Sequence, residues 1–151
     1  MCPDVPLISA LMRGSWLVMD IGARAAAVHD VTPQQAQLLC IVAWQPRSMA
    51  QLGAVLRITK SSTSGLVDRA EEAGLVRRSV DPDDRRSYLV VLTDRGAQVG
   101  QAYRDTVAAG IEDLVADIPA AELESLRTVM SRIVLAHHAR NTWPSESDSA
   151  A

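Results

Sequence analysis

Apolar positions recur at steps of three and four from Val5 to Val28, through Ile8, Leu11, Ser15, Val18, Gly22 and Ala25, which predicts a long first helix interrupted at Asp30-Val31. Thr32-Pro33-Gln34-Gln35 joins an N-cap, a proline at the first helical position and a capping-box glutamine. A second helix should therefore run through Ala36, Leu39, Cys40 and Ala43 and stop before Pro46. Ser48-Met49-Ala50-Gln51 is another capping box, opening a short third helix through Leu52, Val55 and Leu56, and Thr59 caps a fourth. The fourth keeps Thr63, Leu66, Val67 and Ala70 on one face and ends at Gly74, suited to a left-handed terminating position. Two β-prone runs, Val76–Val80 and Ser87–Leu92, flank the polar stretch Asp81–Arg86 and predict a charged hairpin. Thr93 caps a long helix to about Asp117, Pro119 breaks it, and a last helix carries Leu123, Leu126, Val129, Met130, Ile133 and Val134. From Trp143 the tail is Ser, Asp, Glu and Ala, a composition expected to be disordered. No internal repeat is present.

The fold class predicted is mainly α with a small β-hairpin. One domain over 1–142 is expected, with a winged helix-turn-helix lobe at 32–96, long terminal helices at 5–29 and 97–140, and a disordered tail at 143–151. At 151 residues and 48% apolar content the chain suits a single domain with a full core. The terminal helices carry more apolar surface than one small lobe can cover, which predicts a homodimer. No secretory leader or spanning segment is legible, so the expected location is cytoplasmic, with no membrane partner.

Charge alters the picture by its distribution. The net charge of −3 disfavours nucleic acid, yet residues 57–95 hold eight cations and seven acids and are net positive. Two short capped helices joined by Arg57-Ile58 have the spacing of a helix-turn-helix. The second begins Thr59-Lys60-Ser61-Ser62-Thr63-Ser64-Gly65, a poor start by helix propensity. It suits a helix end pressed against DNA, since small hydroxyls allow close approach while the helix dipole and Lys60 favour phosphate. An ordinary serine-rich N-cap is the plainer alternative. Arg85 and Arg86 at the hairpin turn are long planar donors able to enter a minor groove, with Asp84 placed to pair with the Arg86 guanidinium and aim it. A solvated charged turn is the alternative here. The order of helix-turn-helix, basic strand Arg77-Arg78 and arginine-tipped hairpin favours DNA.

Three segments carry a resemblance: Leu66-Val67-Asp68-Arg69, Gly74-Leu75-Val76-Arg77-Arg78, and Asp81-Pro82-Asp83-Asp84-Arg85-Arg86-Ser87 running into Leu92-Thr93-Asp94-Arg95-Gly96. Together they resemble the recognition helix and wing of the multiple-antibiotic-resistance-regulator (MarR) family. The match in motif spans about Thr32 to Gly96; Ala70 departs from it, standing where a bulkier apolar residue is frequent. The resemblance implies a triangular homodimer, probing an inverted-repeat operator in double-stranded DNA and acting as a repressor. It places Ser61, Ser62 and Ser64 at major-groove positions and Asp84 and Arg86 at the wing's acidic and arginine positions. With Lys60, Arg69, Arg77 and Arg85 these complete the candidate DNA-binding set.

Members of that family commonly release DNA on binding a small aromatic or phenolic acid, an oxidant or occasionally a metal. Trp16 and Asp20 on the first helix, with Cys40 and Trp44 on the second, are the candidate effector crevice; filling of core volume is the alternative for residues of this kind. Cys2 is early in the chain, as in thiol-based redox-sensing relatives, but the first helix has no tyrosine, since Tyr88 and Tyr103 lie downstream. His137 and His138 point roughly 100° apart on a helix and His29 is remote, so no metal or other cofactor is expected. No Gly-x-Ser-x-Gly elbow, phosphate loop or His-Glu-x-x-His occurs, which argues against an enzyme. A winged helix that docks protein instead of DNA stays open.

Overall fold

The computed structural model describes residues 5–138; Cys2 and the tail from Trp143 lie outside the described residues. Helix α1 (Leu7–Val28) is followed by α2 (Pro33–Trp44), strand β1 (Arg47–Ser48), α3 (Met49–Leu56), α4 (Lys60–Glu72), the hairpin β2 (Val76–Val80) and β3 (Tyr88–Leu92), and then α5 (Asp94–Leu114) and α6 (Ala120–His138).

Local chemistry sets most of these boundaries. Thr32 and Ser48 each accept from the backbone three residues on, at 3.2 Å, while Gln35 and Gln51 return the bond at 2.9 Å. Four otherwise orphaned N–H groups are thereby satisfied. Gly74 takes φ 68°, in the left-handed region, and turns the chain out of α4 into β2. Arg57 also adopts the left-handed region, at φ 55°, and makes the tight turn between α3 and α4.

The three strands form an antiparallel sheet in the order β1-β3-β2. Val76 pairs with Leu92 and Val80 with Tyr88, the register a hairpin with one buried face requires. The unexpected strand is β1, where Arg47 pairs with Val90 and Ser48 with Leu89. Arg47 is buried, its guanidinium beside the Gln45 side-chain amide. The core lies where α2, α3, α4 and the sheet meet, and comprises Leu38, Leu39, Leu52, Leu66, Val67 and Val90 with their neighbours.

The terminal helices are different. Only Ile21, Ala25 and Ala26 of α1 are buried, and no residue from 120 to 137 is. Leu7, Ile8 and Met19 are 70% or more exposed, and Val129, Ile133 and Leu135 of α6 are at least half exposed. The described helices include none long and apolar enough to cross a membrane.

Candidate nucleic-acid interface

The helix-turn-helix is built by α3 and α4. Ile58 N–H returns to the Gly53 carbonyl at 3.1 Å, and Thr63 Oγ1 donates to the Thr59 carbonyl at 2.9 Å. A Cβ at Gly53 would stand 3.1 Å from that Thr63 oxygen, so glycine lets the two helices approach closely. Thr63, Leu66, Val67 and Ala70 are buried, as the periodicity predicts. The positions between them are left outward. Lys60, Ser61, Ser62, Asp68 and Arg69 are exposed, whereas Ser64 and Gly65 are half-buried.

At the start of α4, Thr59 Oγ1 accepts from Ser62 N–H at 3.2 Å and lies 3.0 and 2.9 Å from the Ser61 and Ser62 hydroxyls. The result is a compact hydroxyl cluster over the positive end of a helix dipole, with Lys60 beside it. Arg69 folds back one turn, its Nη1 only 3.2 Å from where a Gly65 Cβ would be.

The hairpin turn is held by Asp81 N–H to Ser87 O at 2.9 Å and Ser87 N–H to Asp84 O at 2.8 Å. Asp84 differs from the sequence expectation. Its carboxylate accepts from the Ser87 hydroxyl at 2.7 Å and from the Arg86 backbone N–H at 3.0 Å, not from the Arg86 guanidinium. A short acidic side chain two residues upstream reaches the backbone before it reaches the end of a long side chain, the geometry of an Asx turn. Those donors, the Ser87 hydroxyl foremost, hold the Asp84 carboxyl below the usual range. Arg85 and Arg86 are exposed, and no described carboxylate engages either guanidinium.

The basic strand is divided by its pleat. Arg77 is exposed, while Arg78 is half-buried and donates to Asp68 Oδ1 at 2.6 Å and to the Glu71 carboxylate. Its backbone N–H donates to Glu71 Oε1 at 3.0 Å. The bond to Asp68 foremost raises the guanidinium pKa; burial, next in size, opposes it, and the charges of Glu71 and Asp68 add to the rise. Sequence grouped Arg78 with Arg77, and only period-two alternation hinted that they part.

The effector candidates are dispersed in their surroundings. Trp16 is 60% and Trp44 40% exposed, so neither fills core volume within this chain. Asp20 makes an exposed ion pair with Arg24 at 2.8 Å. Cys40 is half-buried; burial pushes its thiol up, opposed by the neighbouring Arg104 guanidinium. A groove of ≈ 440 Å³ runs between α1 and α5, lined by Ile21, Arg24, Ala25, Val28, Thr106 and Gly110 among others, and none of the four candidates lines it. His29 Nε2 lies 2.8 Å from Thr106 Oγ1 at the same pair of helices, a contact with no sequence signal at a separation of 77 residues.

Residues 29–87 match the model of the MarR family. A Thauera aromatica protein, named as the proposed transcriptional regulatory protein for an hcr operon, is 30% identical over 125 residues, spanning 82% of this chain and 75% of its own. The multiple antibiotic resistance protein MarR of Escherichia coli is 25% identical over 107 residues, 70% of this chain and 74% of its own. Its wild-type apo crystal structure superposes with a TM-score of 0.75 over 87% of this chain and 98% of that one, at 22% identity, which speaks for the fold. CouR from Rhodococcus jostii RHA1, solved bound to p-coumaroyl-CoA, superposes with a TM-score of 0.70 at 25% identity, covering 85% of this chain and 91% of its own.

Proposed function

The chain belongs to the MarR family of DNA-binding transcriptional regulators, and on that premise we propose that it is a homodimeric repressor of an inverted-repeat operator, released by a small aromatic or phenolic effector. The observation that carries this reading is the pairing, on one lobe, of a hydroxyl-rich helix start with a wing whose two arginines are unspent. Lys60, Ser61, Ser62, Ser64 and Arg69 would meet the major groove and its phosphates. Arg77 would add phosphate contacts, and Arg85 and Arg86 would enter the flanking minor groove while Asp84 holds their turn. The exposed apolar faces of α1 and α6 support the dimer, because surface of that kind is rarely left to water. Two-fold symmetry then sets half-sites about 10 base pairs apart, centre to centre.

For the effector, the phenolic thioester bound by CouR supports an aromatic acid or its conjugate as the class. Trp16, Asp20, Cys40 and Trp44 remain the proposed lining, on the boundary between the lobe and the terminal helices. Redox sensing by Cys40 is the weaker reading, since a thiol raised by burial is a poor thiolate.

The experiment is a titration against the inverted repeat upstream of the coding region and a scrambled duplex, at several salt concentrations, with sedimentation at micromolar protein. A dimer whose affinity falls steeply with salt and which prefers the repeat fits the proposal. Salt-insensitive binding overturns it and favours a protein-docking winged helix, and a monomer that binds DNA equally well overturns the homodimer.

A further inference from the structure

Asp68 and Glu71 are one turn apart on α4, and their side chains keep 51% and 37% of their accessible surface. They lie on the same helix as Lys60 and Arg69, the cations proposed to meet phosphate. Two uncompensated carboxylates there would oppose the approach of a polyanion. Arg78 answers both, donating one guanidinium nitrogen to each while its own backbone N–H takes the second oxygen of Glu71. The fork therefore does two things at once. It offsets one of the two negative charges along this edge of the recognition helix, and it links β2, the first strand of the wing, to α4.

We propose that Arg78 is a positioning residue for DNA binding: it acts through Asp68 and Glu71, offsetting one of their two negative charges beside the phosphates, and makes no phosphate contact itself. This rests on the DNA-binding reading above. Strand alternation supports it, since Arg77 is turned to solvent and free for phosphate while Arg78 is turned onto α4 with both arms occupied. Lysine would be a poor substitute, because a single ammonium cannot reach two carboxylates with the spread of a planar guanidinium.

The test compares wild type with Arg78→Gln, Asp68→Asn/Glu71→Gln, and the triple variant carrying all three changes, by titration with the upstream repeat and a scrambled duplex across salt concentrations. Circular dichroism of each variant reports the fold. Arg78→Gln should weaken binding to both duplexes by about tenfold at low salt, because two carboxylates are unmasked near the phosphates. The triple variant should recover to within about threefold of wild type, with the salt slope of wild type, since no phosphate contact is lost. If Arg78 instead touches phosphate, the slope falls by about one and removing the carboxylates does not rescue the triple variant. Either that result or wild-type affinity in Arg78→Gln overturns the proposal. Should Arg78→Gln unfold, Asp68→Asn/Glu71→Gln in the wild-type background decides alone: affinity equal to or above wild type supports the charge role, and a drop of about tenfold refutes it. Failure of wild type to bind any duplex in a salt-dependent way would instead refute the DNA-binding reading itself.

Discussion

Replacing Gly96 with alanine should destabilise the protein far more than a surface glycine-to-alanine change in a helix. Gly96 is buried in the first turn of α5, against the turn that leads from α4 into β2. A Cβ there would fall well inside contact distance of the Leu75 carbonyl oxygen, 2.8 Å from its carbon and 3.3 Å from its Cα. All three are backbone atoms, so no side chain can swing aside. The helix start and the turn must separate by about 1 Å, which in a close-packed interior is strongly resisted. Separation breaks the bonds that Thr93 makes there: its N–H to Leu75 O at 3.1 Å and its hydroxyl to Gly74 O at 2.6 Å. At about 1 kcal/mol each these amount to about 2 kcal/mol, and the overpacking adds roughly 1–3 kcal/mol. Alanine's better helix propensity returns about 1 kcal/mol. The net expectation is a loss of about 2–4 kcal/mol, or a melting temperature lower by roughly 5–15 °C for a chain of this size. Thermal unfolding followed by circular dichroism, at matched protein concentration because a dimer's stability depends on it, gives the answer. A variant that melts with wild type would refute the docking of α5 on the 74–75 turn. It would also remove the physical reason for glycine after Leu92-Thr93.

Arg86→Ala should weaken DNA binding by roughly 1–3 kcal/mol, with preference lost mainly at A·T steps flanking the half-sites; unchanged binding to every duplex by an intact dimer would exclude the wing as a DNA contact. Asp84 is held below its ordinary pKa of 3.8 by bonds that exist only when the turn is folded, so its ordering of the turn is complete above that pH and is lost as pH falls through the lower folded value. The amide resonances of Arg86 and Ser87 should accordingly titrate with a midpoint under 3.8; a midpoint at or above it would show that the carboxylate is not so engaged.

Much of the lobe was legible along the chain because its signals are local. The boxes at Thr32 and Ser48, the Thr59 cap and the terminating Gly74 depend on partners within about four residues, a range over which backbone geometry alone brings groups together, and the face of α4 that enters the core is marked by its own helical period. The family motif ending at Gly96 was equally plain, although its reason was not: the obstacle to a side chain is Leu75, more than twenty residues away. Strand β1 has no sequence signal because two residues carry no period, and Arg47-Ser48 becomes a strand only when β3 presents an edge to pair with. Arg77 and Arg78 look alike in sequence and have opposite surroundings, since which face of β2 meets α4 is settled by hairpin register and helix packing. Asp84 engages the backbone of Arg86 and not its guanidinium, because competition between a fixed backbone N–H and a mobile guanidinium is decided by turn geometry. Composition and local hydrogen-bonding chemistry thus determined the elements and their ends. Which charges are spent and which remain free for DNA was decided by tertiary structure, because ion pairs form between groups that only the folded chain brings within a few ångströms.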